Sequence, residues 1–260
     1  MTQGSYMKKD TQSRSIKSAE RSFDILEIVY RQEGATLTEI SKEIDLARST
    51  LHDYLQTHVK AGYLVKEGTE YYISLQLLKL GQHAKVTRTA WEQVKPVLRE
   101  IGNETGEHVW FVVEEHGKGV YIDNYAGEHV ISLFNTPGTR HHLHCTAAGK
   151  AILAHLPEQR VTQILEQYGL PEFTDTTITD EATLRDQLAD IRETGIAFAD
   201  GEWNKGLRAV ACPVIRDDEI LGAITLGAPT KRLSGSYYRD EIPSIVSGAV
   251  NRLELSFTKR

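Results

Sequence analysis

The chain has 260 residues, 40% of them hydrophobic and 25% charged, so it can bury a core and is long enough for two ordinary domains. This composition excludes a disordered or collagen-like polymer, and no apolar run approaches the roughly 18 to 20 residues that a membrane-spanning helix needs. The net charge of -6 falls on residues 81–260, because the first 80 residues hold eleven basic and eleven acidic side chains. A neutral front segment can approach a polyanion that the acidic remainder would repel, which predicts separate tasks for the two parts.

The first residues are polar and lack the apolar centre of a signal peptide, so we expect a cytoplasmic protein with no membrane partner. Cys145 and Cys212 are the only cysteines, too few for a disulfide-stapled secreted domain. We expect both to be reduced thiols, and we expect no cofactor.

The sequence pattern at the front of the chain predicts three helices and a hairpin. After a polar tail at residues 1–17, which we expect to be flexible, apolar spacing predicts helices over residues 18–32, 38–44 and 48–61. Two β-prone runs on either side of Glu67–Glu70 predict a hairpin. This order is typical of a winged helix-turn-helix, whose second motif helix enters the DNA major groove. We therefore predict a DNA-binding domain at residues 18–74.

The third helix has the two faces that a groove-reading helix needs. Leu51, Leu55 and Val59 repeat every four residues and predict the buried face. Hydroxyls and backbone N–H groups at the helix start suit phosphate oxygens, and Arg48 suits a phosphate or a guanine edge. The predicted DNA-binding residues are Arg48, Ser49, Thr50, His52, Asp53, Gln56 and, in the first wing strand, Lys66. The alternative is an ordinary solvated face, and the neighbouring helix and hairpin favour DNA binding.

The rest of the chain predicts a connecting helix at residues 75–90 and a second domain at residues 91–260. Helices are expected at residues 91–101, 146–154, 158–168, 180–194 and 235–256, and strands at residues 109–113, 119–122, 130–134, 196–199, 209–215 and 221–226. Strands with helices before, between and after them indicate an α+β domain with an antiparallel sheet.

The segment Cys145–Ala151 opens a helix with small residues, so a small anion could come close to its first N–H groups. The alternative is that Ala147, Ala148 and Gly149 are small because this helix packs tightly on the sheet. Glu202 is a candidate lid or hinge over such a site, although an acidic residue in a loop more commonly faces solvent.

Histidines and a cysteine cluster at Arg140–Cys145, and imidazole and thiolate are zinc ligands. Along an extended segment His142 and His144 share one face, while His141 and Cys145 share the other, so at most two or three could converge. A nucleophilic Cys145 would need a base, and His144 would point to the opposite face. We predict no metal site and no catalytic residue. The alternative is a zinc- or thiol-dependent enzyme with a winged-helix interaction appendage.

The run from Leu37 to Gly62 resembles the DNA-binding domain of IclR-type transcriptional regulators. HCTAAGKAILAHL, at residues 144–156, and the run at residues 192–233 resemble that family's effector domain. The resemblance covers nearly everything from residue 18 to 256. It implies a homodimeric or tetrameric repressor or activator that binds double-stranded operator DNA and senses a small organic effector through a GAF-like domain. It also implies that effector binding shifts the DNA-binding domains through the helix at residues 75–88. A further alternative is an interaction module with an empty GAF-like domain.

The resemblance also implies an effector pocket, lined by Leu133, His141, Ala147, Ala148, Ala199, Ala209, Thr225 and Gly227. In this set only His141 and Thr225 offer polar side chains, beside the backbone donors at residues 147 and 148. Such a pocket favours a carboxylate with a hydrocarbon or aromatic body over a polyhydroxylated sugar.

Two residues depart from the family pattern. Asp53 stands where the family usually has a basic residue; it cannot hold a phosphate but could accept a hydrogen bond from a cytosine amino group. His58 stands where the family has an apolar residue, so we expect it to weaken the buried face or to be partly exposed.

Overall fold

A computed structural model describes residues 15–130 and 135–257. These residues form two compact units, and the boundary between them falls between Ala84 and Lys85. Of the tail expected at residues 1–17, residues 1–14 lie outside the described part, while Lys17 already begins the first helix. None of the helices in the described ranges is both long enough and apolar enough to cross a membrane.

The first unit has the predicted winged helix-turn-helix order. Its elements are α1 (Lys17–Arg31), β1 (Ala35–Thr36), α2 (Leu37–Glu43), α3 (Arg48–Lys60), β2 (Leu64–Glu67) and β3 (Glu70–Ile73). The strands form an antiparallel sheet in the order β1-β3-β2. The three helices and the hairpin were predicted, whereas β1 has only two residues and therefore shows no period in the sequence.

The apolar positions of these elements meet in one core. The fully buried members include Ile25, Ile40, Leu51, Leu55 and Leu64. Val59, which was predicted to share the buried face of α3, is only partly buried at the edge of this core.

His58 is not partly exposed, and the structure corrects that expectation. Its residue exposure is 6%, and its Nε2 lies 3.0 Å from the Ser22 hydroxyl oxygen. Burial lowers the pKa of His58, so the neutral ring is favoured. The hydrogen bond across to α1 satisfies a polar group that burial would otherwise leave without a partner.

The connecting helix α4 (Gln76–Arg88) crosses the unit boundary and contains no buried residue. Leu78 and Leu80 are exposed, as is Leu75 just before the helix.

The second unit is an antiparallel sheet covered by helices. Its helices are α5 (Trp91–Thr105), α6 (Ala147–His155), α7 (Glu158–Tyr168), α8 (Glu181–Thr194) and α9 (Ile242–Phe257). Its strands are β4 (His108–Glu115), β5 (Lys118–Ala126), β6 (Arg140–His142), β7 (Ala197–Asp200), β8 (Leu207–Arg216) and β9 (Glu219–Pro229). The strand order is β6-β5-β4-β9-β8-β7.

Two expected elements of this unit differ in detail from the structure. The helix predicted at residues 235–256 is helical from residue 235 onward, but it contains a π-helical turn at Tyr237–Glu241 before α9. The strand predicted at residues 130–134 lies outside the described residues except for Val130, which is not in a strand. The short strand β6 was not predicted.

Side chains alternate between the two faces of the sheet and form two cores. Phe111, Val210 and Ile224 pack with α5 and α9 on one face. Trp110, Val112 and Ala211 pack with α6, α7 and α8 on the other face. The second face carries smaller residues on β7, β8 and β9, and this difference leaves room for a cavity.

Gly149 lies where α6 touches the preceding backbone. A Cβ atom at Gly149 would stand 2.1 Å from the carbonyl oxygen and 2.5 Å from the Cα of Leu143. Because both atoms belong to the backbone, neither can move aside cheaply. Tight packing therefore accounts for this glycine.

Replacing Gly149 with alanine should lower the free energy of unfolding by about 1 to 3 kcal/mol, since the clash outweighs the higher helix propensity of alanine. Gly81→Ala is the matched control, because a Cβ at Gly81 on exposed α4 meets nothing within 4 Å. Chemical denaturation of both variants provides the test. Equal or greater stability of Gly149→Ala would contradict the packing assignment.

Candidate nucleic-acid interface and ligand pocket

The outer face of α3 presents a continuous set of polar side chains. All six predicted residues of α3 are exposed, and so is Lys66 on β2: the set is Arg48, Ser49, Thr50, His52, Asp53, Gln56 and Lys66. Leu51, Leu55 and His58 point the other way, into the core. The structure thus brings the α3 candidates together on one surface, and their contacts with DNA remain predictions.

The amino-terminal end of α3 is left open. Its N-cap residue, Ala47, provides no side-chain hydrogen bond, and its first turn contains no acidic residue. By contrast, Thr36 and Glu39 close the start of α2 with a reciprocal capping box. The free N–H groups and the positive dipole end of α3 can therefore bind a phosphate, with Arg48 beside them.

Asp53 gives this surface a local negative charge. Its carboxylate oxygen lies 3.7 Å from Nδ1 of the exposed His52. On the wing, Lys66 places its Nζ 5.5 Å from the ring centre of Tyr71. The surface therefore offers one guanidinium, one ammonium and several groups that hydrogen bond to base edges.

A cavity opens on the α6 face of the second unit. It encloses about 630 Å³ of empty space, counting its open mouth. Its floor includes one row of residues paired across four strands, namely Ala199, Ala209, Gly227 and His108. Three of these four residues have almost no side chain, and the missing side-chain volume creates the space.

The predicted lining residues fall into three groups. Ala147, Ala199, Ala209, Thr225 and Gly227 line the cavity. His141 and Ala148 are buried but are not part of the lining. Leu133 lies outside the described residues.

Five aromatic rings contact one another in a row along the cavity. His108, Trp110, Tyr121, His141 and Trp203 follow one another with ring centres 4.4 to 5.3 Å apart. A hydrogen bond holds the ring of His141, since its Nε2 lies 2.7 Å from Oδ1 of Asn135. Burial and the Lys118 ammonium lower the pKa of His141 to about 4, so it is neutral at neutral pH. A flat apolar or aromatic body fits such a wall.

The cavity also has polar lining residues outside the predicted set. His141 is outside the lining, and the Thr225 hydroxyl donates to the Val210 carbonyl, 3.1 Å away. The polar side chains that line the cavity and were missed are His108, Tyr121, Asn135, Thr146, Glu202, Asn204 and Arg208. The alternation of His108 with Trp110 on β4 could have indicated part of the wall, whereas the loop after β7 gave no periodic signal.

Glu202 is buried, with an exposure of 7%, and does not face solvent as a loop acid commonly does. Its Oε1 accepts a hydrogen bond from Nζ of Lys150, 2.7 Å away, and the same ammonium donates to Gln187 Oε1 at 2.9 Å. Burial lowers the pKa of Lys150, while the Glu202 carboxylate opposes that shift. The ion pair joins α6 to the loop beside the cavity.

Arg208 also lines the cavity, and three of its five N–H donors are engaged. Its guanidinium donates to both carboxylate oxygens of Asp200, at 2.8 and 2.9 Å, and to the Leu233 carbonyl at 3.0 Å. Its positive charge is therefore already balanced before any ligand arrives.

The amino-terminal end of α6 has free donors at the cavity. The Thr146 hydroxyl accepts a hydrogen bond from the Gly149 N–H, at 3.0 Å. The N–H groups of Ala147 and Ala148, at the first two helical positions, have no acceptor within the helix. Ala147 lines the cavity, so an anion there can bind to a helix end.

The histidine and cysteine cluster does not form a metal centre among the residues that the structure describes. The Lys118 Nζ lies 2.6 Å from His142 Nε2, and burial together with this ammonium lowers the pKa of His142 to about 4. Burial raises the pKa of Cys145 to about 12, so its thiol stays protonated and is a poor nucleophile. Cys212 is buried in the core on the opposite face of the sheet.

A winged helix-turn-helix with exposed polar side chains on α3, followed by an α+β unit with a cavity, is the domain arrangement of ligand-responsive transcriptional regulators. Residues 18–68 match the IclR helix-turn-helix domain, and residues 83–254 match the bacterial transcriptional regulator IclR C-terminal domain. The chain belongs to the IclR family of transcriptional regulators, and the curated relatives that it matches include transcriptional regulators and repressors.

Similarity to individual proteins extends over both units. The HTH-type transcriptional regulator XynR of Escherichia coli is 31% identical over 222 residues, which cover 84% of this chain and 88% of XynR. The crystal structure of Thermotoga maritima IclR has a TM-score of 0.77 at 23% identity and matches 93% of this chain and 98% of that one. An IclR homologue from Microbacterium hydrocarbonoxydans complexed with 4-hydroxybenzoate has a TM-score of 0.76 at 18% identity, covering 92% of this chain and 100% of that one.

Replacing Arg48 with alanine should weaken binding to a duplex selected by the protein from a random-sequence pool. We expect a loss of about 1 to 3 kcal/mol, or about 5- to 150-fold in Kd, at fixed salt. The melting temperature should not fall, because Arg48 is exposed. Fluorescence anisotropy and thermal unfolding measure the two quantities.

Arg99→Ala is the matched control, since it removes the same charge from an exposed position on α5. Its DNA affinity should stay close to that of the unmodified protein. If Arg48→Ala binds as tightly as this control, α3 is not the reading helix.

Proposed function

We propose that the protein is an operator-binding regulator that senses a small organic acid in the cavity of its second unit and acts as a homodimer or tetramer. The observation that carries the ligand class is the free N–H of Ala147 at the start of α6, which opens into a cavity with an aromatic wall.

The helix end favours the acidic group of the ligand. Two unpaired N–H groups and the positive end of the helix dipole bind a carboxylate better than a neutral group. The nearby charges do not compete for this place, because the Arg208 guanidinium is held by Asp200 and the Lys150 ammonium by Glu202. A ligand carboxylate would therefore find its strongest donors at α6.

The wall of the cavity favours an apolar or aromatic body. Trp110, Tyr121 and Trp203 present ring surfaces, and Ala199 and Ala209 leave a flat gap beside them. The related Microbacterium hydrocarbonoxydans protein was crystallised with 4-hydroxybenzoate, a ligand with these features. Both observations support an aromatic or short apolar acid over a polyhydroxylated sugar.

Exposed apolar side chains of the first unit support pairing of two chains. Phe23 and Tyr30 on α1 are 68% and 62% exposed, and Leu75 and Leu78 are exposed at and near the start of α4. Burying such residues against a second copy would be favourable. A two-fold pair of reading helices would then meet two half-sites of a palindromic operator. Operator choice would reflect Asp53, which suits a cytosine amino group.

Replacing Ala147 with proline tests the carboxylate site. Proline removes this N–H yet is tolerated at the first helical position, and Thr146 already has the extended backbone, with φ -128° and ψ 147°, that a residue before proline adopts. We expect benzoate or 4-hydroxybenzoate, whichever binds the unmodified protein, to bind at least about 10-fold more weakly, because a charge-assisted hydrogen bond is lost.

Calorimetry on the full chain measures this effect, and the corresponding neutral amides serve as control ligands whose affinity should change little. Ala147→Val keeps the N–H while adding bulk, and should therefore lose less affinity for the acid than Ala147→Pro does. If no small acid binds the unmodified protein, the second unit is an interaction module and the proposal is wrong.

A further inference from the structure

One carboxylate oxygen beside the cavity is buried without a partner. Glu202 lines the cavity and its side chain is 9% exposed. Its Oε1 accepts from Lys150, but Oε2 receives no hydrogen bond from any residue that the structure describes. A buried acceptor in this condition costs free energy, and more so when it is charged.

The loop that carries Glu202 is held in place. The Thr177 hydroxyl donates to the Glu202 backbone carbonyl at 2.5 Å, and the Thr174 hydroxyl donates to the Gly201 carbonyl at 2.8 Å. Lys150 fixes the other carboxylate oxygen from α6. The carboxylate is therefore set in one orientation and cannot turn outward to find a donor without breaking the ion pair.

Neighbouring polar groups do not supply the missing donor. The Arg208 guanidinium is engaged by Asp200 and Leu233, and the Thr225 hydroxyl by Val210. A carboxylate accepts up to about four hydrogen bonds, so Oε2 keeps its capacity. Because Glu202 lines the cavity, a ligand bound there would lie next to this carboxylate.

We infer that Glu202 is a specificity-determining residue that accepts a hydrogen bond from a hydroxyl group of the effector, so that the effector is a hydroxy acid. This inference rests on the proposed acid-sensing function and names the second group of its ligand. The ligand carboxylate binds at the start of α6, and its hydroxyl donates to Oε2 of Glu202.

The charges around Glu202 select a neutral donor. A second carboxylate on the ligand would meet Glu202 and be repelled, which disfavours dicarboxylates. A cationic amine would meet the Lys150 ammonium, which already neutralises Glu202. A hydroxyl satisfies Oε2 without adding charge to a buried pair.

Matched acid pairs test the inference on the full chain. Calorimetry would compare benzoate with 3- and 4-hydroxybenzoate, and propanoate with 2- and 3-hydroxypropanoate. In at least one series the hydroxylated acid should bind about 10- to 150-fold more tightly, the range expected for a hydrogen bond to a charged acceptor. In Glu202→Gln this preference should fall at least about threefold, because a neutral hydrogen bond is roughly half as strong.

Gln187→Ala is the control variant. It removes the other acceptor of Lys150 but lies outside the cavity lining, so the preference for the hydroxylated acid should persist. Thermal unfolding establishes that both variants are folded. If Glu202→Gln does not fold, the acid pairs on the unmodified protein still test the hydroxyl preference, and its absence would contradict the inference.

The possible failures differ from one another. If simple acids bind and the hydroxyl adds nothing in either series, the role of Glu202 is wrong while acid sensing stands. If folded Glu202→Gln keeps the full preference, the hydroxyl binds elsewhere and the inference is again wrong. If none of these acids binds, the acid-sensing proposal fails and this inference fails with it.

Discussion

The buried ion pair between Lys150 and Glu202 is the constraint on which the ligand pocket depends. Removing one partner of such a pair typically costs about 3 to 5 kcal/mol, because the other charge is left buried alone. The pair joins the first turns of α6 to the loop after β7, 52 residues further along the chain. The ion pair therefore fixes the loop beside the cavity relative to the start of α6, where an anion can bind.

The two candidate sites share one physical feature, which is a helix start that the protein leaves partly unsatisfied. Thr36 and Glu39 form a capping box at the start of α2, whereas α3 begins with no side-chain cap and no acidic residue in its first turn. On α6, Thr146 caps the third helical N–H and leaves the first two free. The free donors lie at an exposed polar surface in one unit and at a cavity in the other, and a helix start of this kind suits an anion.

Much of the fold follows from patterns visible in the sequence, because the periods of α1, α2 and α3 and the turn between β2 and β3 are local. Strand ends were predicted less well, since Leu207 and Glu219 continue their strands beyond the apolar runs. Resemblance placed Ala199, Ala209 and Gly227 at the cavity, but the burial of Glu202 was not predictable from a polar loop. That burial depends on Lys150 and on Thr177, which lie far away in sequence. His58 is similar, because its partner Ser22 lies on another helix.

We propose that ligand binding in the second unit and DNA binding by α3 are energetically linked. The most direct measurement is the affinity of the full chain for its best-binding acid, with and without a saturating selected duplex. Linked sites require the two affinities to differ, by about 5- to 150-fold for a coupling of about 1 to 3 kcal/mol, and the acid must change DNA affinity by the same factor. Equal acid affinities with and without the duplex would contradict the claim that the pocket controls DNA binding.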